Sequence, residues 1–334
     1  MYEPPYRTVL KPYGRALLAL AREHENIICL SGDLTKQCEV DLFRDALPAR
    51  FVHAGMAEAN MIGIAAALAR EGFLPFVHTF GVFATRRPLD QIINAVAYAA
   101  LPVRIVGFMP GLSSPGGPSH QAIDDVALMR SIPNMTVIDV ADATQAGQVA
   151  EATLDVPGPV YIRLKRGEIP VIMPPEHRLD VNHADVLTEG SDVAIFASGM
   201  MLPVALAAEQ VLHAHGVESS VVNVAVIKPL DVATVLATAA SARAVLTVEN
   251  HSIIGGLGSA VAEVLAESGL GRPLQRVGIR DTFGEAALVA NHLFRKYGLG
   301  VADVVQAAWR CLGRDEPVPL VPVIEVTEGE YAPV

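Results

Sequence analysis

Apolar residues recur along this chain as short, nearly unbroken runs, and each run is followed by a stretch with helical spacing. The runs Ile27–Leu30, Phe51–His53, Phe73–His78, Val103–Phe108, Met135–Asp139 and Val160–Leu164 read as strands of a first unit. Between them, Tyr13–His24, Val40–Ala46, Met56–Arg70, Pro88–Ala100, Ile123–Ser131 and Ala143–Ala152 read as helices. These strands do not alternate apolar with polar residues, so both faces are buried, which predicts a parallel sheet covered by helices on either side. The same rhythm returns with strands at Val193–Ala197, Ser219–Val224, Ala244–Glu249 and Leu274–Ile279. Its helices are predicted at Met201–His215, Asp231–Ala239, Gly255–Glu267, Ala286–Tyr297 and Val301–Arg310. The expected organisation is an α/β unit over 1–168, a proline-containing linker over 169–186, a second α/β unit over 187–316, and an extended tail over 317–334.

Composition narrows the reading. The chain has 334 residues, more than one typical core holds, which agrees with two units. Hydrophobic residues make up 51% and charged residues 18%, which excludes a disordered chain. The formal net charge is -11 and no basic cluster stands out, which argues against nucleic acid as a partner. Cys29, Cys38 and Cys311 form neither a metal-ligand spacing nor a disulfide framework, and the start lacks a signal-peptide core, so a cytoplasmic location is expected. His53, His78 and His120 have no zinc spacing.

Candidate chemistry gathers where predicted strands end, the edge at which open α/β sheets bind ligands. Asp33 follows the first strand in the turn Ser31-Gly32-Asp33, a position that a turn residue also fills. The loop Met109–His120, MPGLSSPGGPSH, follows another strand and ends in a histidine. Glu58 sits near the start of a helix of small residues, and Phe80 and Phe83 lie three apart in the aromatic segment beyond. A buried carboxylate needs a partner. Facing a heteroaromatic nitrogen, it can pass a proton. The two phenyl rings can stack on a planar ligand or belong to the core. Glu58 equally suits a helix cap or an ion pair. Arg163 and Arg166 can hold an anion or pair with acids. Glu249-Asn250-His251 precedes Gly255-Gly256-Leu257-Gly258, and such a glycine-led helix start suits either phosphate or tight packing.

On several of these segments the chain resembles the C-terminal half of transketolase, over roughly residues 8–315. They are GDLT at 32–35, GMAEANM at 55–61, PFVHTFGVFATR at 75–86, GPSHQAIDDVALMRSIPNM at 117–135, and the later VENHSIIGGLGSA and DTFGE. The resemblance is strongest to the small subunit of split, two-gene transketolases. It extends more distantly to 2-oxoacid dehydrogenase E1 β subunits and deoxyxylulose phosphate synthase. It implies a pyrimidine-binding domain followed by a transketolase C-terminal-like domain, and thiamine diphosphate as cofactor. The family glutamate that activates the pyrimidine N1′ falls on Glu58, and its stacking aromatics fall on Phe80 and Phe83. Asp33 falls near the cofactor, His120 near the donor sugar, and Arg166 on a phosphate-site arginine. The family's GDG motif for diphosphate and Mg2+ is not found in this sequence. A partner chain carrying that domain is therefore expected, in an α2β2 assembly whose metal is bound mainly by the partner, with this subunit inactive alone. The implied reaction moves a two-carbon ketol unit from a ketose to an aldehyde. The substrate side departs from the family pattern. Met109 (or Phe108) stands in place of a histidine, Gly116 of an aspartate, Gln37 of a serine, and Leu10 of an arginine. Losing polar groups from a site built to read hydroxyls or phosphate predicts non-standard substrates. The alternatives are an E1-like 2-oxoacid decarboxylase subunit and a non-catalytic scaffold.

Overall fold

The computed structural model describes residues 6–321, so the expected tail beyond 321 lies outside the described residues. In chain order the first unit contains β1 (Thr8–Leu10), α1 (Pro12–Glu23), β2 (Ile27–Ser31), α2 (Asp41–Ala46), β3 (Phe51–His53), α3 (Glu58–Arg70) and β4 (Leu74–Phe80). It continues through α4 (Gly81–Arg86), α5 (Leu89–Gln91), β5 (Arg104–Phe108), α6 (Asp125–Arg130), β6 (Thr136–Asp139), α7 (Ala143–Ala152), β7 (Val160–Leu164) and β8 (Glu168–Pro170). Strands β6, β7, β5, β4, β2 and β3 lie side by side in that order, all parallel. Every residue of β2, β4, β5, β6 and β7 is buried, as their continuous apolar character demands. Tyr13 and Leu17 of α1 and Val149 of α7 pack on one face. Met61 and Ala65 of α3, Ile92, Val96 and Met129 of α6 cover the other. Each fully buried aliphatic side chain contributes about 1.5–3 kcal/mol.

The second unit holds β9 (Asp185–Thr188), β10 (Val193–Ala197), α8 (Leu202–Ala214), β11 (Ser219–Asn223), β12 (Val226–Lys228), α9 (Val232–Ser241) and β13 (Ala244–Ser252). It closes with α10 (Leu257–Glu267), β14 (Leu274–Ile279), α11 (Ala290–Lys296) and α12 (Val301–Cys311). Its sheet runs β14-β13-β10-β11-β9, parallel except for β9. Strand β12, not among the strands expected from the sequence, leaves this unit and joins the first sheet antiparallel to β6, Val226 opposite Ile138. The Lys228 ammonium then donates to the carbonyls of Arg130 and Ile132. No helix among the described residues is long and apolar enough to cross a membrane.

The stretch predicted as a linker is fastened down. Strand β8 pairs with β1, and the Asp142 carboxylate that caps α7 also accepts from the backbone N–H groups of Ile172 and Met173. Two predicted helices change character. The one over Pro88–Ala100 becomes the short α5 and a π-helical turn over Ile92–Ala97. The one from Ala286 starts only at Ala290, because Ala286 pairs with Gly116 and the Ala287 N–H donates to Pro115. There a tertiary contact outweighs helix propensity.

Arg163, an anion-binding candidate in the sequence, is instead the centre of a buried network where the units meet. Its guanidinium donates to Asp125 at 2.8 Å, Asp139 at 2.7 Å and the Asn250 carbonyl at 3.1 Å. Tyr161 donates to Asp125 at 2.6 Å and Ser198 to Asp139 at 2.9 Å. Burial raises the Asp125 carboxyl, but Arg163, His251 and the Tyr161 hydroxyl together hold it below the ordinary range. Asp139 has one Arg163 nitrogen and Ser198, and burial keeps it above that range.

His78 is a core histidine. Its Nε2 lies 2.8 Å from the Tyr13 hydroxyl and its Nδ1 3.0 Å from the Leu30 carbonyl, an arrangement that suits the neutral ring. Burial pulls its pKa down to about 4 from 6.5, against the opposing pull of the Leu30 and Phe76 carbonyls. A depressed folded-state value means stability present above the ordinary histidine pKa and lost as pH falls toward the folded value. Acidification from pH 6.5 to 4 is expected to remove about 3 kcal/mol through this residue. In thermal melts across that range, His78→Gln should flatten the acid limb, and an unchanged slope would rule out this origin.

Candidate active site

The parallel strands deliver their C-terminal ends to one edge, and the candidate residues collect there. Asp33 follows β2, Phe80 is the last residue of β4, and Phe83 stands in α4 immediately beyond. The loop after β5 ends in His120. A cleft of about 260 Å³ opens between them, and its lining includes Asp33, Met56, Phe80, Phe83, Arg87 and His120.

The rings of Phe80 and Phe83 lie nearly parallel, 15° apart with centroids 6.2 Å from one another. Their spacing of three and the turn from strand to helix at Gly81 produce this: the strand ends on one ring and the first helical turn presents the next. His120 meets Phe83 edge-on at 5.3 Å, and its Nδ1 lies 2.9 Å from the Ser119 hydroxyl.

Glu58 is the first residue of α3, where the helix dipole favours a negative charge. It is 4% exposed. Arg87 donates to its Oε1 at 2.6 Å, and the same guanidinium carbon lies 4.0 Å from the Phe83 ring centroid. Arg87 is not among the residues expected at the site from the sequence. Its only signal was a second arginine closing the segment that carries the two phenylalanines.

The glycine-rich loop is held from the second unit. The Asn250 side chain accepts from the Leu112 N–H and donates to the Pro110 carbonyl. Gln121 donates to Ser114 and Glu285. A side chain on Gly111, which has φ 55°, would collide with Asn250. The GGLG helix start is likewise occupied: Glu249 accepts from the N–H groups of Leu257 and Gly258 at the head of α10. An internal carboxylate takes the place that a phosphate would need.

The remaining substrate-side candidates do not line the cleft. Met109 has φ 60° and is buried in the core at 4% exposure. Gln37 and Arg166 are half-buried. Burial raises the Cys38 thiol; Glu39 and Asp33 add to this and Arg166 opposes it. Among the described residues no three His, Cys, Asp or Glu side chains are grouped to hold a metal. The cleft suits the aminopyrimidine end of thiamine diphosphate. Its lining offers the aromatic faces of Phe80 and Phe83, and Arg87, a planar hydrogen-bond donor in that lining, stacks on Phe83 and bonds the buried Glu58 carboxylate behind it, as such a ring would.

Residues 7–171 match the transketolase pyrimidine-binding domain and residues 182–304 the transketolase C-terminal domain. A 6-deoxy-6-sulfo-D-fructose transketolase subunit from a Clostridium species is 43% identical, over 89% of this chain and 92% of that one. A putative transketolase C-terminal section from Methanocaldococcus jannaschii is 40% identical, over 88% and 93%. A split gene transketolase solved as an inactive beta4 tetramer superposes with a TM-score of 0.85 at 42% identity, covering 92% of this chain and 98% of that one. The Campylobacter jejuni transketolase, at 22% identity and a TM-score of 0.76, shares the fold. By its two matched domains, this chain belongs to the transketolase family and corresponds to the pyrimidine-binding and C-terminal domains of a split-gene enzyme.

Proposed function

We propose that this chain is the pyrimidine-binding subunit of a two-chain, thiamine diphosphate-dependent transketolase that moves a two-carbon ketol unit from a ketose to an aldehyde. The observation that carries this is the buried Glu58 carboxylate, linked by the Arg87 guanidinium to Phe83 of the stacked Phe80–Phe83 pair at the strand edge. The cofactor, when bound, supplies a carbon that adds to a carbonyl and a sink for the electrons released as the neighbouring carbon–carbon bond breaks. Phe80 and Phe83 provide the apolar face for its pyrimidine ring and keep water from it. Glu58 holds or shares a proton at the ring nitrogen, and its place at the head of α3 keeps the carboxylate fixed. Asp33 borders the same ring. His120, with Nδ1 engaged by Ser119, has Nε2 left to bond a donor hydroxyl. Arg166 and Gln37, half-buried outside the cleft lining, are assigned to the sugar's far end, and Met109 supports the loop after β5 from within the core.

A partner carrying the diphosphate- and Mg2+-binding domain completes the site, in an α2β2 assembly. This reading is supported by the split-gene relative, whose beta4 form is described as inactive. Non-standard substrates are supported by the replaced polar positions and by a relative named for a sulfo-sugar.

The test is reconstitution with the partner chain, thiamine diphosphate and Mg2+, followed by a scan of ketoses and 2-oxoacids. Release from a ketose of an aldose two carbons shorter, with matching lengthening of an aldehyde acceptor, is the expected result. Carbon dioxide from a 2-oxoacid without ketose cleavage would move the chain to the E1-like class. A complex that assembles but never retains cofactor would leave the scaffold reading.

A further inference from the structure

We propose that Arg87 is a latch on the pyrimidine pocket: in the cofactor-free subunit its guanidinium holds the place between Glu58 and Phe83 that the cofactor's ring requires, and cofactor binding has to displace it. The inference rests on the functional reading above and adds a control that this reading does not contain.

Three observations carry it. The guanidinium makes both contacts expected of an aminopyrimidine. It donates to Glu58 at 2.6 Å and lies over Phe83 at 4.0 Å, so the ring and the arginine exclude each other. Arg87 is also built to leave. Its side chain is 48% exposed, against 3% for that of Glu58, and among the described residues its hydrogen-bond partner is Glu58 alone. The neighbouring Arg86 shows the contrast: it forks onto both oxygens of Asp124 and reaches the Gln121 carbonyl, an anchored structural arginine. Finally, the latch has a physical reason to close. A carboxylate as buried as Glu58 is costly without a counter-charge, and Arg87 supplies one for as long as the pocket lacks its ring. The long, flexible arginine side chain can swing into water once the ring has taken over Glu58 and Phe83.

A site that must first open binds more weakly by the fraction of molecules already open. Removing the latch should therefore tighten cofactor binding. The experiment is a calorimetric titration of thiamine diphosphate with Mg2+ into the reconstituted complex, for the wild type, Arg87→Ala and Arg87→Gln. Thermal melts of the three complexes verify that each is folded. Gln keeps much of the length of the side chain and loses its charge, so it guards against a packing defect in Ala. Both variants are expected to lower the apparent Kd about tenfold. Unchanged or weaker binding in either folded variant, with the wild type binding normally, overturns the latch and leaves the functional reading standing. No binding by any of the three, although the complex assembles, overturns the functional reading and the latch with it.

Discussion

Glu58→Gln is expected to lower turnover of the reconstituted complex by about 10²–10⁴-fold, the range that a positioned acid–base group supplies. Glutamine has nearly the shape of glutamate, and it can still meet Arg87 through its carbonyl oxygen. It cannot hold or return a proton. Phe80 and Phe83 are untouched, so the aromatic face of the cleft remains and assembly with the partner should proceed as before. The informative measurement is kcat alongside cofactor retention and thermal stability of the complex. A large fall in kcat with assembly and stability kept marks a chemical role. The opposite pattern, lost stability with near-normal kcat in the folded fraction, would make Glu58 a structural partner of Arg87 at the head of α3. That is the plainer reading its sequence position always allowed.

The second large effect is expected far from the cleft. Arg163→Leu should destabilise the chain by about 3–5 kcal/mol, because it strands two buried carboxylates rather than one. Asp125 and Asp139 are 0% and 2% exposed, and Arg163 bonds both. The pH dependence separates lost charge pairing from lost packing. In the wild type, Asp125 lies below its ordinary pKa, so its share of stability is present above the ordinary carboxylate range and is lost as pH falls through the depressed value. Without Arg163, His251 and Tyr161 still favour the Asp125 carboxylate and Ser198 that of Asp139, but the main counter-charge is gone, and burial is expected to raise the folded-state values of both acids. Their protonated forms are then favoured, and stability falls as pH rises through those values. The penalty in thermal midpoint should accordingly be large near neutral pH and shrink in acid. Replacing Asp125 and Asp139 by asparagine in the same variant should recover much of it, since the unpaired charges are gone. A penalty equal at all pH values, or no recovery, would place the effect in packing.

Breaking this network should also disturb the site, although none of its members lines the cleft. Asn250, whose carbonyl accepts from Arg163, holds the loop that ends in His120. The second unit thus acts on the site through the backbone of that loop.

The pattern of apolar runs by itself determined the two parallel α/β units. Val160–Leu164, Val193–Ala197, Leu274–Ile279 and helix Ala143–Ala152 appear with the bounds read from the sequence. These elements are governed by local spacing, and burial on both faces leaves a mark on every residue. The gathering of Asp33, Phe80, Phe83 and His120 was legible for a related reason: parallel strands bring their ends to one edge, so residues that follow different strands meet there. What only the tertiary structure decided involves partners distant in sequence. Strand β12 crosses to the other unit's sheet, and no three-residue run announces its partner. The Arg163 side chain could have faced an anion or an acid, and the choice fell to Asp125 and Asp139 on neighbouring elements. Met109 follows a strand like the cleft residues, yet its left-handed backbone leaves it in the core. Arg87 reads as one more surface charge until the turn after β4 sets it over Phe83 and against Glu58. Apolar burial is written residue by residue in the chain, whereas the worth of a charge depends on what folding brings within a few ångströms of it and on how much water is excluded there.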